Sequence, residues 1–446
     1  MSTANVASET PEPATSIAWD ARGRRPVVSW AIYDLANTIF QFSVISYTLP
    51  LWVKDEGGSD ASFAVALSIG AGLMFFASPI IGAVSDQVRR RMPFLIASTL
   101  ICCVCTFFLG TWGLVPTLVI FVLANFAFQA GSVFYDTLLP TVSTDANRGR
   151  VSGLGVGIGY VGSFLALGTA FGVLALDDDA KPLVFKITAL LFVVFALPCF
   201  LWVKERPRLD IAPVSRETLR RSFAEVRQTV DRARHYRDLP RFLAGRVFYS
   251  DASNTLVGFM GIYVTEELGF SDGQSNIILA VGILGALLGA LAWGRVVDRI
   301  GPKATLNRVL ALWAIVMALA AAIAYLDLPS LLFWFVAPLA GVALGGTGTS
   351  DRPLMIRLSP PRYLGQFYGL YGMAGRFAAI VGPLLWALIV DVLDLGRPAA
   401  VLSLLGMIAI GYLILRPVDD TRRTWTADET VPSATGLPVL PAAVTS

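Results

Sequence analysis

The sequence predicts an all-α membrane protein of twelve transmembrane helices arranged as two pseudo-symmetric six-helix bundles. Three observations carry that expectation. Of the 446 residues, 55% are hydrophobic and 15% are charged, against about 25% charged in a soluble domain, and the mean hydropathy is +0.65. Long apolar runs follow one another through the chain, separated by short polar breaks. A polar motif inside the first run, Tyr33-Asp34-Leu35-Ala36-Asn37-Thr38, returns 217 residues later inside another as Ser250-Asp251-Ala252-Ser253-Asn254-Thr255. A carboxylate within a membrane span costs about 2.5–3.5 kcal/mol on insertion scales. Two of them in matching surroundings point to a duplicated helix that lines a shared polar cavity.

Residues 1–26 are polar and carry Arg22, Arg24 and Arg25. They lack the short apolar core and cleavage site of a signal peptide, and read as a disordered tail. The first bundle spans 27–203, with apolar runs at 27–52, 62–84, 93–112, 115–138, 151–175 and 184–203. The second spans 242–416, with runs at 242–266, 275–297, 304–326, 330–350, 365–390 and 399–416. Each run is close to the ~20 residues needed to cross a bilayer. Between the bundles lies a polar stretch, 204–241. There Leu219, Phe223, Val226, Val230 and Tyr236 fall near helical spacing among Arg216, Arg220, Arg221, Arg227, Arg232 and Arg234. This reads as a basic amphipathic helix lying on a membrane surface. Residues 417–446, rich in Thr, Pro and Ala, read as a second disordered tail.

Charge placement tests the count of runs. The N-terminal tail, alternate gaps and the central stretch hold Arg89, Arg90, Arg91, Arg148, Arg150, Arg295, Arg299, Lys303 and Arg308. The other gaps are acidic, with Asp55, Glu56, Asp60, Asp177, Asp178, Asp179, Glu266, Glu267 and Asp272. The excess of basic residues marks the cytoplasmic side. Both termini and the central stretch are therefore expected in the cytoplasm, with the protein in a bacterial inner membrane.

Two further matches extend the repeat. Gly82-x-x-x-Asp86 corresponds to Gly294-x-x-x-Asp298 at an offset of 212, and Asp136 followed by Gly153 corresponds to Asp351 followed by Gly369 at 215–216. The shared order implies a tandem duplication of a six-span unit, with a site at the interface between the halves. Gly294-x-x-x-Asp298-Arg299-Ile300-Gly301-Pro302-Lys303 resembles in full the second-to-third-span signature of the major facilitator superfamily. The first-half copy departs from it at Gln87 and Arg89. Tyr33-Asp34-x-Ala36-Asn37, Arg148-Gly149-Arg150-Val151-Ser152-Gly153-x-Gly155, Gly261-Ile262-Tyr263 and Gly375-Arg376-Phe377-Ala378-Ala379-Ile380-x-Gly382-Pro383 are similar to a narrower branch. That branch holds the fungal autophagy-linked vacuolar amino-acid effluxers and their bacterial relatives. The resemblance covers nearly all of 27–416 and implies alternating access by two rocking bundles.

The candidate substrate-binding or coupling residues are Asp34, Asn37, Gln41, Asp251, Asn254 and Arg376. Asp34, Asn37 and Gln41 share one helix face, which lipid would reject. At 1.5 Å rise per residue, Asp34 lies roughly 10 Å inside the membrane edge. The matching sets on the first and seventh spans are expected to confront each other across the cavity, binding solute or carrying a proton. The structural alternative is that each aspartate pairs with an arginine or caps a broken helix. Arg376, near the middle of its span, is a natural clamp for a carboxylate or phosphate, unless it is consumed by an ion pair with Asp34 or Asp251. Arg246, only a turn inside its span, reads as snorkelling or gating. Gly82, Asp86, Arg90, Asp136, Gly294, Asp298, Arg299 and Asp351 are expected to act as latches between the halves. Their basis is a carboxylate at a neighbouring helix N-terminus, with nearby arginines pairing to acidic partners such as Asp136. Gly157-Ile158-Gly159-Tyr160-Val161-Gly162 spells a dinucleotide fingerprint, but no strand precedes it, and it reads as small-residue helix packing.

The chemistry this leaves is transport. The single histidine, His235, and the four cysteines, Cys102, Cys103, Cys105 and Cys199, form no metal-ligand or disulfide pattern. No nucleotide-binding loop, hydrolase motif or cofactor signature is present, and a net charge of +3 gives no reason for a nucleic-acid partner. The expectation is a secondary active or facilitative transporter of a small polar solute, with an amino acid the leading candidate and protons a candidate coupling ion. The repeat supplies a complete pathway in a monomer. The alternatives are a proton-coupled drug or metabolite exporter and a transporter-fold sensor that binds without transport. The absence of proline from 151–175 counts against the exporter, whose fifth span typically carries a Gly-Pro motif.

Overall fold

Helix starts are written into the sequence twice over. Ser59 caps a helix by accepting from the Ser62 backbone N–H, and Ser271 does the same from Gln274, each as a reciprocal capping box. The helices they open, Asp60–Gln87 (α2) and Asp272–Ile300 (α8), are the two that carry the repeated Gly-x-x-x-Asp motif. Proline in the first turn starts Met92–Phe107 (α3), Lys181–Trp202 (α6), Pro302–Tyr325 (α9) and Arg397–Leu415 (α12), where its missing N–H is no loss.

The computed structural model describes residues 23–177, 179–205, 236, 238–377 and 381–425. The amphipathic helix expected around 215–236 lies almost entirely outside the described residues, as do most of both tails. The remaining helices are Arg24–Phe40 (α1), Leu114–Thr137 (α4), Arg148–Leu174 (α5), Asp238–Ile262 (α7), Phe333–Leu358 (α10) and Leu364–Phe377 (α11), which is followed by a helical piece at Val381–Ala387. Helix α1 runs on through a π-helical stretch, Gln41–Thr48, into Leu49–Asp55, and α7 into a shorter one, Tyr263–Glu267.

Among the described residues, nine helices are long and apolar enough to cross a membrane, and α3 is a shorter apolar helix. The runs outside that set are the two that carry the repeated polar motif. In α1 the π stretch interrupts the α-helix after 17 residues. In α7 the charged side chains Asp238, Arg241, Arg246 and Asp251 fall within one helix.

Buried apolar side chains gather into two main clusters. One is built from residues between Val27 and Val203, and the other almost wholly from residues between Leu239 and Val418. Large apolar side chains such as Phe76, Val115, Phe335 and Leu413 point outward, as a lipid-facing surface requires. The halves meet where α2 packs on α11 and α5 on α8. Both crossings depend on glycine. A Cβ on Gly82 would lie 2.3 Å from the Gly365 carbonyl oxygen, and one on Gly294 would lie 2.8 Å from that of Gly149. The glycines of the false dinucleotide fingerprint serve packing in the same way, with Gly162 against α1 and Gly157 against α8.

Two expectations need correction here. Span ten does not end at 350, because α10 continues to Leu358 with Pro353 inside it. Residues 417–425 are ordered against the bundle: Asp420 accepts from the Lys303 backbone N–H and pairs with Arg357, Arg423 pairs with Asp238, and Trp425 packs on Tyr236.

Candidate functional site

The two repeated aspartates each hold a helix N-terminus in the opposite half. Asp86, at the end of α2, accepts from the backbone N–H groups of Gly365 (2.7 Å) and Gln366 (2.8 Å) at the start of α11. Asp298, at the end of α8, accepts from those of Gly149 (2.7 Å) and Arg150 (3.3 Å) at the start of α5. The first N–H groups of a helix have no partner inside it, and its dipole favours negative charge there. Each carboxylate also takes a guanidinium: Arg91 on Asp86 (3.0 Å) and Arg150 on Asp298 (2.7 Å).

Those guanidinium groups are not the expected ones. Arg90 and Arg299 are exposed. Val88 leaves the helix in an extended conformation, which breaks helical spacing and returns Arg91, not Arg90, to Asp86. Asp298 is served from across the interface, so its sequence neighbour Arg299 is left facing outward.

A partly buried cation joins three helices. Arg352 of α10 makes a two-pronged bond to Asp34 of α1, at 2.8 and 3.3 Å, and its Nε lies 3.1 Å from Asp136 of α4. The guanidinium sits 5.9 Å from the Trp30 ring centre and 5.6 Å from that of Tyr135, within reach of a cation–π attraction. The partner of Asp136 is thus Arg352 of the other half, and not the Arg89–Arg91 cluster. Its counterpart Asp351 stays within the second half. It binds Arg246 (3.1 Å) and accepts from the Tyr249 and Tyr371 hydroxyls at 2.6 and 3.4 Å. Arg246 stacks 3.6 Å from the Tyr371 ring centre. It is therefore turned toward its own half rather than snorkelling to the membrane edge.

The two repeated aspartates have different partners. Asp34 is held by Arg352, while Asp251, fully buried, accepts from the Gly382 backbone N–H (2.7 Å) and the Thr255 hydroxyl (3.4 Å). A Cβ on Gly382 would lie 2.7 Å from the Asp251 Oδ1, so glycine is what lets this helix approach the carboxylate. Asn37 is buried, and its Oδ1 has no hydrogen-bond partner among the described residues. Gln41, at the start of the π stretch, and Asn254 are exposed.

Arg376 is different again. It reaches across the interface, its Nε donating to Gln129 Oε1 of α4 (2.7 Å) and its Nη1 to Ser78 Oγ of α2 (3.1 Å). Gln129 donates in turn to Asn125 (3.2 Å). Among the described residues Arg376 forms no ion pair. Its charge is not consumed by Asp34 or Asp251, since both are held elsewhere.

The residues missed by sequence reading are Arg352, Arg91, Arg150, Gln129 and Ser78. A signal existed for Arg352: it follows Asp351 directly at the end of an apolar run. The tenth apolar run, 330–350, stops short of it. Among the described residues no group of three His, Cys, Asp or Glu side chains is placed to hold a metal ion.

Solved structures of the same architecture include a bacterial homologue of the iron transporter ferroportin in an outward-facing state. It shares 16% identity with a TM-score of 0.68, over 88% of this chain and 98% of that one. The Escherichia coli fucose:proton symporter shares 14% identity with a TM-score of 0.70, over 89% and 98%. Both establish the fold. In sequence, the chain is 27% identical over 416 residues to the MFS-type transporter YxiO of Bacillus subtilis, covering 89% of this chain and 95% of that protein. It is 25% identical over 300 residues to autophagy-related protein 22-1 of Aspergillus niger, covering 61% of this chain and 48% of the relative, so it spans about half the fungal protein's length. Residues 57–427 match the family described as vacuole effluxer Atg22 like. With that match over most of its length and the major facilitator architecture beneath it, the chain belongs to the Atg22-like family and is an integral membrane transporter of small solutes, not an enzyme.

Proposed function

We propose that the chain moves a small solute bearing an anionic group, an amino acid being the leading candidate, and that Arg376 is the group that holds it. The observation that carries this reading is the contrast among three partly buried arginines. Arg246 and Arg352 each have a carboxylate partner, while Arg376 has, among the described residues, the neutral acceptors Gln129 and Ser78. A partly buried guanidinium held by neutral groups at the boundary between two halves is set up to accept a carboxylate.

In this reading the helical runs form twelve spans in two six-helix bundles, 27–203 and 242–416, with both termini and the central stretch cytoplasmic. The broken α1 and charged α7 are spans whose polar residues face the bundle interior, as intramembrane charge requires. Asp86 and Asp298, aided by the contacts of Gly82 and Gly294, latch the arginine-rich cytoplasmic end, so the halves are joined there. The ion pair of Asp34 and Asp136 with Arg352 closes the next layer. Loss of these contacts releases the halves to rock about the Arg376 level. Protonation of Asp34 would weaken its hold on Arg352, which gives protons a route to coupling. Asp351 braces the second half from within, and Asn37, Gln41 and Asn254 supply polar surface beside the path.

The test is uptake of radiolabelled amino acids into proteoliposomes, with and without an inward-acid pH gradient. Arg376→Ala should abolish saturable uptake, and Arg376→Lys should raise KM more than it lowers kcat. Full uptake in Arg376→Ala would overturn the clamp. Binding without flux in the unaltered protein would replace the transporter reading of the site with a sensor.

A further inference from the structure

The arginine-rich end contains a cavity of about 410 Å³ that the latch contacts do not use. This is within the range of roughly 300–1,000 Å³ typical of small-molecule sites. Its walls come from both halves and from the ordered segment after α12. Arg91, Asp145 and Arg148 contribute from the first half, Arg357 and Ser359 from the second, and Arg422, Arg423 and Trp425 from the C-terminal segment.

The charges around it do not balance. Arg91 is met by Asp86, Arg148 by Asp145, Arg357 by Asp420 and Arg423 by Asp238. The nearby Asp419 is taken by the backbone and hydroxyl of Thr421. Arg422 is left exposed with no carboxylate partner among the described residues. Two buried polar atoms on the lining also lack partners: the Arg148 Nε and the Ser359 Oγ, the latter on a residue only 2% exposed. A buried donor without an acceptor is costly, by about 1–3 kcal/mol, and two on one cavity wall call for an occupant.

We propose that this cavity is a regulatory binding site for a phosphate group, held by Arg422, the Arg148 Nε and the Ser359 hydroxyl. A phosphate offers three strong acceptor oxygens and matches the guanidinium fork, so it satisfies all three groups together. A single carboxylate has two oxygens and leaves less for the third donor. The site is assembled only while the halves are joined at this end, since Arg148 and Ser359 belong to opposite halves. An anion that binds here favours the joined state in proportion to its differential affinity. The inference does not depend on which solute Arg376 takes.

The same phosphate chemistry can arrive as a free ion or as a lipid headgroup, and the experiment separates them. Full-length protein in phosphatidylcholine nanodiscs is titrated with sodium phosphate against sodium chloride at matched ionic strength, and thermal unfolding is followed. The same measurement is made without phosphate in discs containing phosphatidylglycerol. A phosphate-dependent rise in Tm in phosphatidylcholine assigns the site to the free anion. A rise in phosphatidylglycerol alone, with no further effect of phosphate, assigns it to the lipid. In either case R422Q combined with S359A should reduce the effect at least tenfold in apparent affinity. Arg422 makes no contact that folding needs, so R422Q alone, with a smaller reduction, guards against a misfolded double variant. No shift in either medium, or shifts of equal size in the variants, would overturn the proposal.

Discussion

Replacing Asp86 by Asn tests whether the carboxylate at the α11 N-terminus holds the two halves together. The aspartate accepts two backbone N–H groups, from Gly365 and Gln366, and both bonds cross between the halves. Asparagine keeps the size but offers a single acceptor oxygen, and its amide turns a donor toward a donor. One charge-assisted bond is lost from the joined state only, at about 1.5–3 kcal/mol. At tenfold per 1.4 kcal/mol, the balance between joined and separated ends should move roughly 10- to 150-fold toward separation. The readout is the distance between spin labels placed at Arg90 and Arg299, exposed residues on opposite halves. Three native cysteines are buried and the fourth partly so, which keeps background labelling low. D86N should add or enlarge a longer-distance population, and D298N should do the same through the mirror contact on α5. An unchanged distance distribution in both variants would refute the latch argument.

The glycine contacts give a second test with the same labels. G82A and G294A place a methyl group 2.3 and 2.8 Å from opposing carbonyl oxygens, so both should separate the ends, while G172A, with nothing within 4 Å, should leave them unchanged. Truncating Arg352 strands the buried Asp34 and the partly buried Asp136, and removing one partner of a buried pair costs about 3–5 kcal/mol. R352A should therefore lower the Tm in nanodiscs sharply, and R352A with D34N should recover part of that loss. Simple addition of the two single effects would show that the pair is not coupled. Y249F removes a 2.6 Å bond to the buried Asp351 and should lower the Tm with little effect on the distance between the spin labels, because both partners lie in the same half.

The sequence disclosed whatever repeats. Helix runs, the Gly-x-x-x-Asp pairs and the placement of Asp86 and Asp298 at helix N-termini were legible because each depends on local spacing and recurs at nearly constant offset. The long-range partners were not legible, because they come from 105 to 318 residues away, from Arg246 on Asp351 to Arg352 on Asp34. Local geometry also misled at two points. Val88 turned the basic cluster by one residue, so Arg91 and not Arg90 reached inward. The tenth apolar run stops at 350, which leaves Arg352 outside it although it lies inside α10. The different partners of Asp34 and Asp251 were hidden for a related reason. Equivalent positions in a duplicated chain share a backbone location, but their partners are free to diverge.

That divergence separates frame from chemistry. The two latches are near copies: a carboxylate ending one helix grips the first N–H groups of a helix across the interface, over a glycine crossing, in both directions. In the proposed rocking motion these symmetric contacts would be made and broken together. The buried charges break the symmetry. Asp136 and Asp351 are equivalent in the repeat, but Asp136 engages a cation from the other half and Asp351 one from its own. Asp34 takes a guanidinium and Asp251 a backbone N–H. The first half therefore presents acids toward the interface, and the second half presents Arg352 and Arg376. Among the described residues, only Arg352 of these two cations meets a carboxylate. In the proposed reading, a solute anion on Arg376 supplies the charge balance that Arg352 already has, at the boundary between the halves.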